Sequence, residues 1–434
     1  MPKYTTLTAL FSAIANSIRG KTGGTDPIVA DDFPEVIDGI TTKTPTQEKT
    51  ISITSNGTVE VTPDEGYVMS KVTANVNVPK DGVDKIQRYL ELNKARGLSY
   101  MFYNYLGETV DELMDGVDTS SVDNASNAFY YCTGLTSVPL FDTSNVRNME
   151  NMFNGCNKLL SVPLFNTSKV VKMNGMFNSC TALTSVPLFD TSNVTNMESM
   201  FNGCRALTTV PLFNTSKVTN MRLMVAYNEV IKEVPLFDTS NVTNMESMFN
   251  GCKELTIVPL FNTSKVTNMR NLFYGCTKLT SVPLYDTSNV TNMYYFAFNC
   301  GSLTSVPALD MRNVTDATSP FYYCTALTEI WIRNIKTNLQ VGSGTSYGHL
   351  LTLESLLHLC KECRDTGSQK TLTIGTANLN KLANVYVKLI DITDEMRAED
   401  DLIDEKSPFV QCESTDEGAM LIADYMTIKN WVLK

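Results

Sequence analysis

The chain has 434 residues, of which 43% are hydrophobic and 19% are charged, and its formal net charge is −11. These proportions are ordinary for a folded protein. The acidic balance excludes the clustered lysine and arginine that nucleic-acid binding needs. No run is apolar over a length that would cross a bilayer, and the first ten residues lack the pattern of a secretory signal peptide. We therefore expect no nucleic-acid partner and no membrane insertion.

The N-terminal residues 1–42 are predicted to form a helical attachment segment. Apolar residues recur at helical spacing from Leu7 to Ile18, and Gly20 ends this first helix. A second short helix is predicted over residues 33–40. The residue pattern changes after Pro45, so we treat residues 1–42 as a segment separate from the β module that follows.

Residues 43–80 are predicted to form a small β module. Apolar and polar residues alternate on both sides of Asn56-Gly57, which is a strong signal for a β-hairpin, and they alternate again over 71–78. Residues 81–117 are predicted to form a helical lead-in to the next region.

Residues 118–328 repeat one pattern with a step of 24 residues. A unit of this length cannot bury a core alone, so its apolar face must pack on the neighbouring units. The pattern predicts an α/β fold of the leucine-rich-repeat type, a solenoid of about nine repeats. The repeat is visible in the cysteines 132, 156, 180, 204, 252, 276, 300 and 324, with Asn228 in the vacant position, and in the prolines 139, 163, 187, 211, 235, 259, 283 and 307.

Each repeat is expected to contain a short helix followed by a short strand. Met197, Met200, Phe201 and Cys204 have helical spacing, and Thr195-x-x-Glu198 resembles a capping box at the start of that helix. The strand is predicted over 207–212, and it must be short because Pro211 lacks a backbone donor.

A second period lies on the first, because Glu198, Arg222, Glu246 and Arg270 alternate in charge at one position of the repeat. Stacked identical charges would repel one another. We hypothesise that the alternation removes this repulsion and adds weak ion pairs.

The repeated cysteine is interpreted as a small buried apolar residue, with disulfides between repeats as the alternative. Cys360-x-x-Cys363 near His358 could suggest zinc, but a structural site needs a fourth ligand. Core packing is the preferred interpretation, so no metal, no cofactor and no catalytic residue is predicted.

Residues 329–434 are predicted to form an α/β capping domain that covers the last repeat. Strands are expected at 329–333 and 370–374, and a helix at 353–364. Ser414-x-x-Glu417 resembles a capping box that would open a further helix through about residue 429.

The strongest functional signal lies where the repeat becomes irregular. Several repeats carry aromatic residues at equivalent positions, and flat aromatic faces suit sugar rings and protein side chains alike. The alternative is that these rings pack against the C-terminal domain. The candidate receptor-binding residues are Tyr227, Tyr274, Tyr294, Tyr295, Phe298, Tyr322 and Tyr323.

The repeat at 189–212, with Asp-Thr-Ser-Asn-Val-Thr-Asn-Met followed by Met-Phe-Asn-Gly-Cys and Val-Pro-Leu, resembles the BspA-like leucine-rich repeats of bacterial surface proteins and phage tail proteins. Residues 14–24 and 55–67 also resemble tail proteins from phages of Gram-positive bacteria. The resemblance implies a non-enzymatic phage tail-tip or receptor-binding protein in the virion tail. A bacterial surface adhesin of the same repeat family is the alternative.

The same resemblance implies the partners. Residues 1–80 would attach to phage tail or baseplate proteins, and the solenoid would bind a host cell-surface glycan or protein. A homo-oligomer, by analogy a trimer, is expected. The absence of a signal peptide and of a cell-wall sorting tail favours the phage assignment over the adhesin.

Overall fold

The computed structural model describes residues 46–53, 68–76, 97–341, 350–391, 396 and 408–434. The chain divides into two compact units, residues 1–193 and residues 194–434. The elements are β1 Thr46–Ile53, β2 Val68–Val76, α1 Asp111–Met114, β3 Ser305–Val306, β4 Glu329–Ile330, β5 Leu339–Gln340, α2 Leu353–Glu362, β6 Lys370–Thr373, α3 Thr376–Leu382, β7 Tyr386–Leu389, β8 Phe409–Cys412, β9 Met420–Leu421, α4 Ile422–Ile428 and β10 Trp431–Leu433.

The N-terminal part of the first unit contains β1 and β2, which pair in parallel with a register shift between Gln47 and Glu48. Both strands fall within the predicted β module. The predicted helices of residues 1–42 and the Asn56-Gly57 hairpin lie outside the described residues.

The repeats of each unit stack as rungs, where a rung is one 24-residue repeat. Alternate amides along a rung donate to the next rung, and the intervening amides donate to the carbonyl three residues earlier in the same rung. The backbone is thus a series of tight turns that also forms a parallel ladder. In the second unit Met197, Ser199, Phe201 and Gly203 donate to the carbonyls of Asn220, Arg222, Met224 and Ala226 over 2.8 to 3.0 Å.

The predicted helix of each rung is wrong, and the backbone dihedral angles give the reason. Ser199 and Gly203 have φ of +56° and +73°, so the chain enters the left-handed region every four residues and no helix can continue. The predicted Thr195–Glu198 capping box is also wrong. The amide of Glu198 instead bonds to the side chain of Asn196 at 2.9 Å, which closes a local turn.

The core of each unit consists of columns of identical side chains from successive rungs. Phe129, Phe153 and Phe177 stack with ring centroids 5.2 and 5.6 Å apart, and Phe249 lies 5.6 Å from Phe273. All are fully buried, as are the two methionines of each regular rung. Because the buried side chains of one rung pack on the same side chains of the next rung, one repeated sequence pattern is enough to build the core of each unit.

The Asp/Asn-Thr-Ser turn links the rungs on another edge. The hydroxyl of Thr239 donates to the carbonyl of Asn262 at 2.8 Å, and the amide of Ser240 donates to the carboxylate of Asp238 at 3.0 Å. Hydrogen bonds from Ser240 lower the pKa of Asp238. The motif is therefore a structural turn.

The stacking begins earlier than predicted. Leu98, Phe102 and Asn104 donate to carbonyls of residues 124–130 in the pattern of the other rungs, and α1 at Asp111–Met114 is the helical segment of this stretch. The predicted helical lead-in is thus wrong for residues 97–105. This rung has Tyr105 where most other rungs have cysteine, so the spacing of the cysteines did not reveal it.

The strand predicted in each rung is also wrong for most rungs. In rung 194–217 no strand forms over 207–212, although Leu207 and Val210 are buried, and Leu212 is 61% exposed. Only β3 and β4 pair as two-residue parallel strands between rungs of the described chain. The repeated proline removes the donor that a longer ladder needs, as expected.

The last rung extends past the predicted boundary at residue 328. β4 pairs with β3, Arg333 donates to the carbonyl of Leu309 at 2.9 Å, and Ile335 forms a bridge with Cys363. Helix α2 then covers this rung, because the hydroxyl of Ser355 donates to the carbonyl of Ile330 at 3.1 Å. The helix agrees with the one predicted at 353–364.

The remaining C-terminal residues form two three-stranded sheets, with strand orders β10-β6-β5 and β8-β7-β9. The predicted strand at 370–374 corresponds to β6. The predicted capping box at Ser414 is wrong, because residues 414–418 form turns and α4 begins at Ile422. Within the described residues, no helix has the length and apolarity to cross a membrane.

Candidate ligand-binding surface

One surface column of the second unit carries the alternating charges. Arg222 lies between two glutamates, with Nη1 2.7 Å from Glu198 and Nε 3.6 Å from Glu246. The hydrogen bond to Glu198 and the two negative charges raise the pKa of Arg222. The structure thus agrees with the hypothesis that alternation replaces repulsion by ion pairing.

The charged column continues into an aromatic surface. Arg270 occupies the next arginine position, and its guanidinium carbon lies 4.7 Å from the ring centroid of Tyr294. This is a cation–π contact. At Tyr294 an aromatic ring therefore takes the place of the charged side chains that form ion pairs in the earlier rungs of the column.

Six of the seven candidate residues come together in the second unit. Tyr274, Phe298 and Tyr322 stack in a column, with centroids 5.0 and 5.6 Å apart and interplanar angles of 3° and 23°. All six side chains are partly exposed. We call this surface the C-terminal aromatic cluster; its members are Tyr274, Tyr294, Tyr295, Phe298, Tyr322 and Tyr323.

The other three rings surround this column. Tyr295 lies 4.0 Å from Tyr294 and 4.6 Å from Phe298, and Tyr323 lies 4.3 Å from Tyr322, measured between ring centroids. The angles between these pairs range from 36° to 82°. The rings of the cluster thus pack on one another.

Two of these tyrosines hold an unfavourable backbone conformation. Tyr295 and Tyr323 have φ of +52° and +62°. A left-handed conformation costs a side-chain-bearing residue roughly 1–2 kcal/mol. Most other rungs place Asn, Ser or Gly at these two positions, for example Asn271 and Gly275, but Leu223 and Tyr227 occupy them with φ of +56°. The left-handed conformation therefore belongs to the repeat, and the tyrosines accept its local cost there.

The phenol of Tyr295 stays protonated at neutral pH. The hydrogen bond between Tyr294 and Tyr295, followed by desolvation, raises the pKa of Tyr295. A protonated phenol both donates and accepts hydrogen bonds. The surface therefore offers ring faces together with hydroxyl groups.

Tyr227, the seventh candidate, is separate. It is 48% exposed, and no ring contact joins it to the other six in the described part of the chain. Its ring lies against Gly251, where an added Cβ would come within 2.7 Å of Cδ1. The structure therefore does not place Tyr227 in the C-terminal aromatic cluster.

Sequence reasoning missed a second cluster, in the first unit. Tyr103 and Tyr130 stack 5.7 Å apart at 7°, Tyr130 lies 4.7 Å from Tyr131, and Tyr100 lies 6.0 Å from Tyr103. These four residues are called the N-terminal tyrosine cluster. The signal that would have found them is Phe-Tyr-Tyr-Cys-Thr, which occurs both at 129–133 and at 321–325.

The repeated cysteines form no disulfides and are fully buried, and they hydrogen-bond between rungs. Cys252 donates its S–H to the carbonyl of Val225, and Cys276 to that of Phe249, both at 3.0 Å. Burial raises the pKa of Cys252 to about 12. The cysteines thus fill the core as predicted, and these thiols also donate hydrogen bonds to backbone carbonyls of the preceding rung.

Asn228 takes over this role in the rung that lacks the cysteine. Its amide donates to the carbonyls of Phe201 and Val225 at 3.1 and 2.7 Å, while its Oδ1 has no hydrogen-bond partner in the described residues.

Two other features have some of the properties of a site. Cys360 and Cys363 are fully buried, and burial raises the pKa of both thiols, while His358 bonds to the carbonyl of Ile332 at 2.9 Å. No group of His, Cys, Asp or Glu in the described residues is arranged to hold a metal ion. An open groove of about 560 Å³ in the first unit is lined by α1, residues 115–117 and residues 139–142.

The fold defines a repeat protein built of stacked 24-residue rungs with exposed aromatic clusters. The profile of the family described as "Mycoplasma protein of unknown function, DUF285" matches residues 96–209, 183–259 and 256–338, together more than half of the chain. The chain belongs to this family.

Two solved structures are similar to parts of the chain. One is a leucine-rich cell surface protein from Faecalibacterium prausnitzii, with 19% identity over 49% of this chain and 77% of that one, at a TM-score of 0.27. The other is a leucine-rich-repeat protein from Bacteroides ovatus, with 19% identity over 52% and 70%, at 0.26. TM-scores below 0.5 do not establish a shared overall arrangement. No curated protein matches the chain.

Proposed function

We propose that the chain is a non-enzymatic adhesin of a bacterial cell surface, and that its C-terminal aromatic cluster binds a cell-surface glycan or protein. The observation that carries this proposal is the stack of Tyr274, Phe298 and Tyr322 within a cluster of six partly exposed rings. Regular rungs are built without these rings, so the fold does not require them. Exposed aromatic groups of this kind are typical of binding surfaces.

The test is binding of the labelled full chain to cells, measured by flow cytometry on intact, periodate-treated and protease-treated cells. The variant Tyr274→Asn, Phe298→Asn, Tyr322→Asn removes the ring column, using the residue that Asn250 supplies in a regular rung. The matched control is Tyr227→Gly, which removes an exposed tyrosine outside the cluster.

We expect the cluster variant to lose most of the binding and the control to keep it. Equal binding by the cluster variant and the unchanged chain would overturn the assignment of the surface. Absence of binding to every cell type would overturn the adhesin itself.

A phage tail-tip protein is the second candidate function. It is favoured by the resemblance of residues 14–24 and 55–67 to phage tail proteins. In this case residues 1–80 would bind tail or baseplate components, and the chain would be part of a virion tail. Co-purification of the full chain, but not of a chain lacking residues 1–80, with tail particles would support this candidate over the adhesin.

A further inference from the structure

The two aromatic clusters occupy the same positions of the repeat. Counting along the rungs, Tyr100 corresponds to Tyr295, and Tyr103 to Phe298. Tyr130 likewise corresponds to Tyr322, and Tyr131 to Tyr323. Four side-chain positions are therefore aromatic in both places, although the rungs in between carry Asn, Ser, Gly, Ala or Leu at most of them.

Two of the three ring distances that can be compared also agree between the clusters. The stacked pair measures 5.7 Å in the N-terminal tyrosine cluster and 5.6 Å in its counterpart, and the adjacent tyrosine pair measures 4.7 and 4.3 Å. The pairs Tyr100–Tyr103 and Tyr295–Phe298 lie 6.0 and 4.6 Å apart.

The backbone strain is repeated as well. Tyr100 and Tyr131 have φ of +58°, as their counterparts Tyr295 and Tyr323 have +52° and +62°. The same cost is thus accepted in both clusters at the same two positions, as it also is at Leu223 and Tyr227. Tyr100 and Tyr131 remain 40% and 48% exposed, so the strained rings are not used to fill a core.

A polar residue flanks the rings at one further equivalent position. Asn104 donates its backbone amide to the carbonyl of Tyr130 at 2.9 Å, and Asn299 donates to that of Tyr322 at 2.7 Å. Each cluster therefore combines ring faces and phenol hydroxyls with an asparagine at an equivalent position of the backbone. Apolar faces bordered by a few hydrogen-bonding groups fit a pyranose ring, which has C–H faces and a rim of hydroxyls.

We propose that the N-terminal tyrosine cluster is a second ligand site equivalent to the C-terminal one, and that each site binds a pyranose unit of a neutral glycan. This inference rests on the proposed adhesin function and names its ligand. A stable protein interface buries about 800 Å² on each partner, far more than four half-exposed rings provide. The net charge of −11 disfavours an anionic sugar.

The experiment counts sites by isothermal titration of the full chain with neutral trisaccharides (cellotriose, maltotriose, mannotriose and chitotriose), which are short enough to occupy one cluster. The N-terminal variant is Tyr100→Asn with Tyr131→Gly, and the C-terminal variant is Tyr295→Asn with Tyr323→Asn. Each replacement copies an equivalent position of another rung, such as Asn127, Gly155 or Asn271. Tyr227→Gly is the control.

We expect two equivalents of a binding trisaccharide per chain, one equivalent for either variant, and none for the four-fold variant. Thermal unfolding should show unchanged or higher stability in the variants, since left-handed tyrosines are removed, whereas rings with a structural role would lower it. A stoichiometry of one that the N-terminal variant leaves unchanged would overturn the second site.

The outcomes separate this inference from the proposed function. If no trisaccharide binds at millimolar concentration while the chain still binds periodate-treated cells through its rings, the ligand is a protein and the glycan inference fails. If the chain binds no cells in any form, the adhesin proposal fails.

Discussion

The regular rung at 245–252 and the aromatic rung at 293–300 share one backbone but differ on the surface. Met245 and Ser247 donate to the next rung over 3.1 and 2.8 Å, and Met293 and Tyr295 do so over 2.8 and 3.0 Å. Glu246, Ser247 and Asn250 of the first rung become Tyr294, Tyr295 and Phe298 in the second, and these rings are more exposed than Ser247 and Asn250. The inward Met248 and Phe249 also change, to the buried Phe296 and Ala297.

This difference shows that the side chains that point into the core (inward positions) and those that point away from it (outward positions) follow separate requirements. The inward positions are restricted, and nearly always apolar, because each side chain must fill a slot between two neighbouring rungs. The outward positions need only be compatible with the turns, and Asn, Ser or Gly is sufficient there. An aromatic residue at an outward position is therefore an addition to the fold.

Removal of an inward ring should have the largest effect on stability. Phe249→Ala deletes a fully buried ring that stacks 5.6 Å from Phe273, and we expect it to cost about 3–5 kcal/mol. Phe298→Asn, which removes an outward ring, should cost about 1 kcal/mol or less. Urea unfolding monitored by circular dichroism checks both. Equal losses would contradict the division into inward and outward positions.

The sequence was sufficient to predict that the repeats stack, but it was insufficient to predict their backbone conformation. The 24-residue step identified the rungs and their buried residues, because identical residues at a fixed interval must stack. The helix at 197–204 was wrong since an i, i+3, i+4 pattern also arises from successive turns, and left-handed residues such as Ser199 leave no mark in apolar spacing.

The candidate surface was predicted only in part, because the prediction depended on recognising equivalent positions of the repeat. Aromatic residues at equivalent positions predicted which rings meet in the second unit, since equal positions stack. The cluster around Tyr100 was missed because the rung at 97–105 lacks the cysteine that defined the repeat. Tyr227 is separate from the other six rings because its ring lies against Gly251 and a further rung lies between it and the cluster. Spacing along the sequence does not show this separation.

The buried thiols should make the inward columns sensitive to high pH. Because burial raises the pKa of Cys252 to about 12 from its ordinary value near 9, the folded state binds its proton more tightly than the unfolded state. This contribution is complete below about pH 8 and is lost between about pH 9 and 12, at about 1.4 kcal/mol per pH unit for one thiol.

The measurement is the free energy of urea unfolding from pH 7 to 11 for the unchanged chain and for Cys252→Ala. The variant should be less stable at pH 7, but its stability should fall less steeply above pH 9. Parallel curves for the two proteins would show that the thiol of Cys252 titrates alike in both states. An outward control, Tyr227→Gly, should leave the slope above pH 9 close to that of the unchanged chain.

Two glycines at the same position of neighbouring rungs test how an outward ring constrains the backbone. Gly251 and Gly275 both have φ of +71°, so alanine should cost about 1–2 kcal/mol at either. At Gly251 the added Cβ would also lie 2.7 Å from the ring of Tyr227, whereas at Gly275 its nearest neighbour is 3.8 Å away. Gly251→Ala should therefore cost more, and adding Tyr227→Gly should remove the excess. Thermal melting of Gly251→Ala, Gly275→Ala, Tyr227→Gly and the double variant Gly251→Ala with Tyr227→Gly measures this.

The smallest effect is expected from the charged column that precedes the aromatic surface. Arg222→Glu would place three glutamates in succession, in place of pairs at 2.7 and 3.6 Å. We expect a loss of roughly 1 kcal/mol, because the groups are partly exposed, and the loss should shrink in high salt as the charges are screened. Lys278→Glu makes the same charge change at a residue that forms no ion pair among the described residues, and should have little effect. If both substitutions lower the melting temperature equally at low salt, net charge and not alternation governs this column.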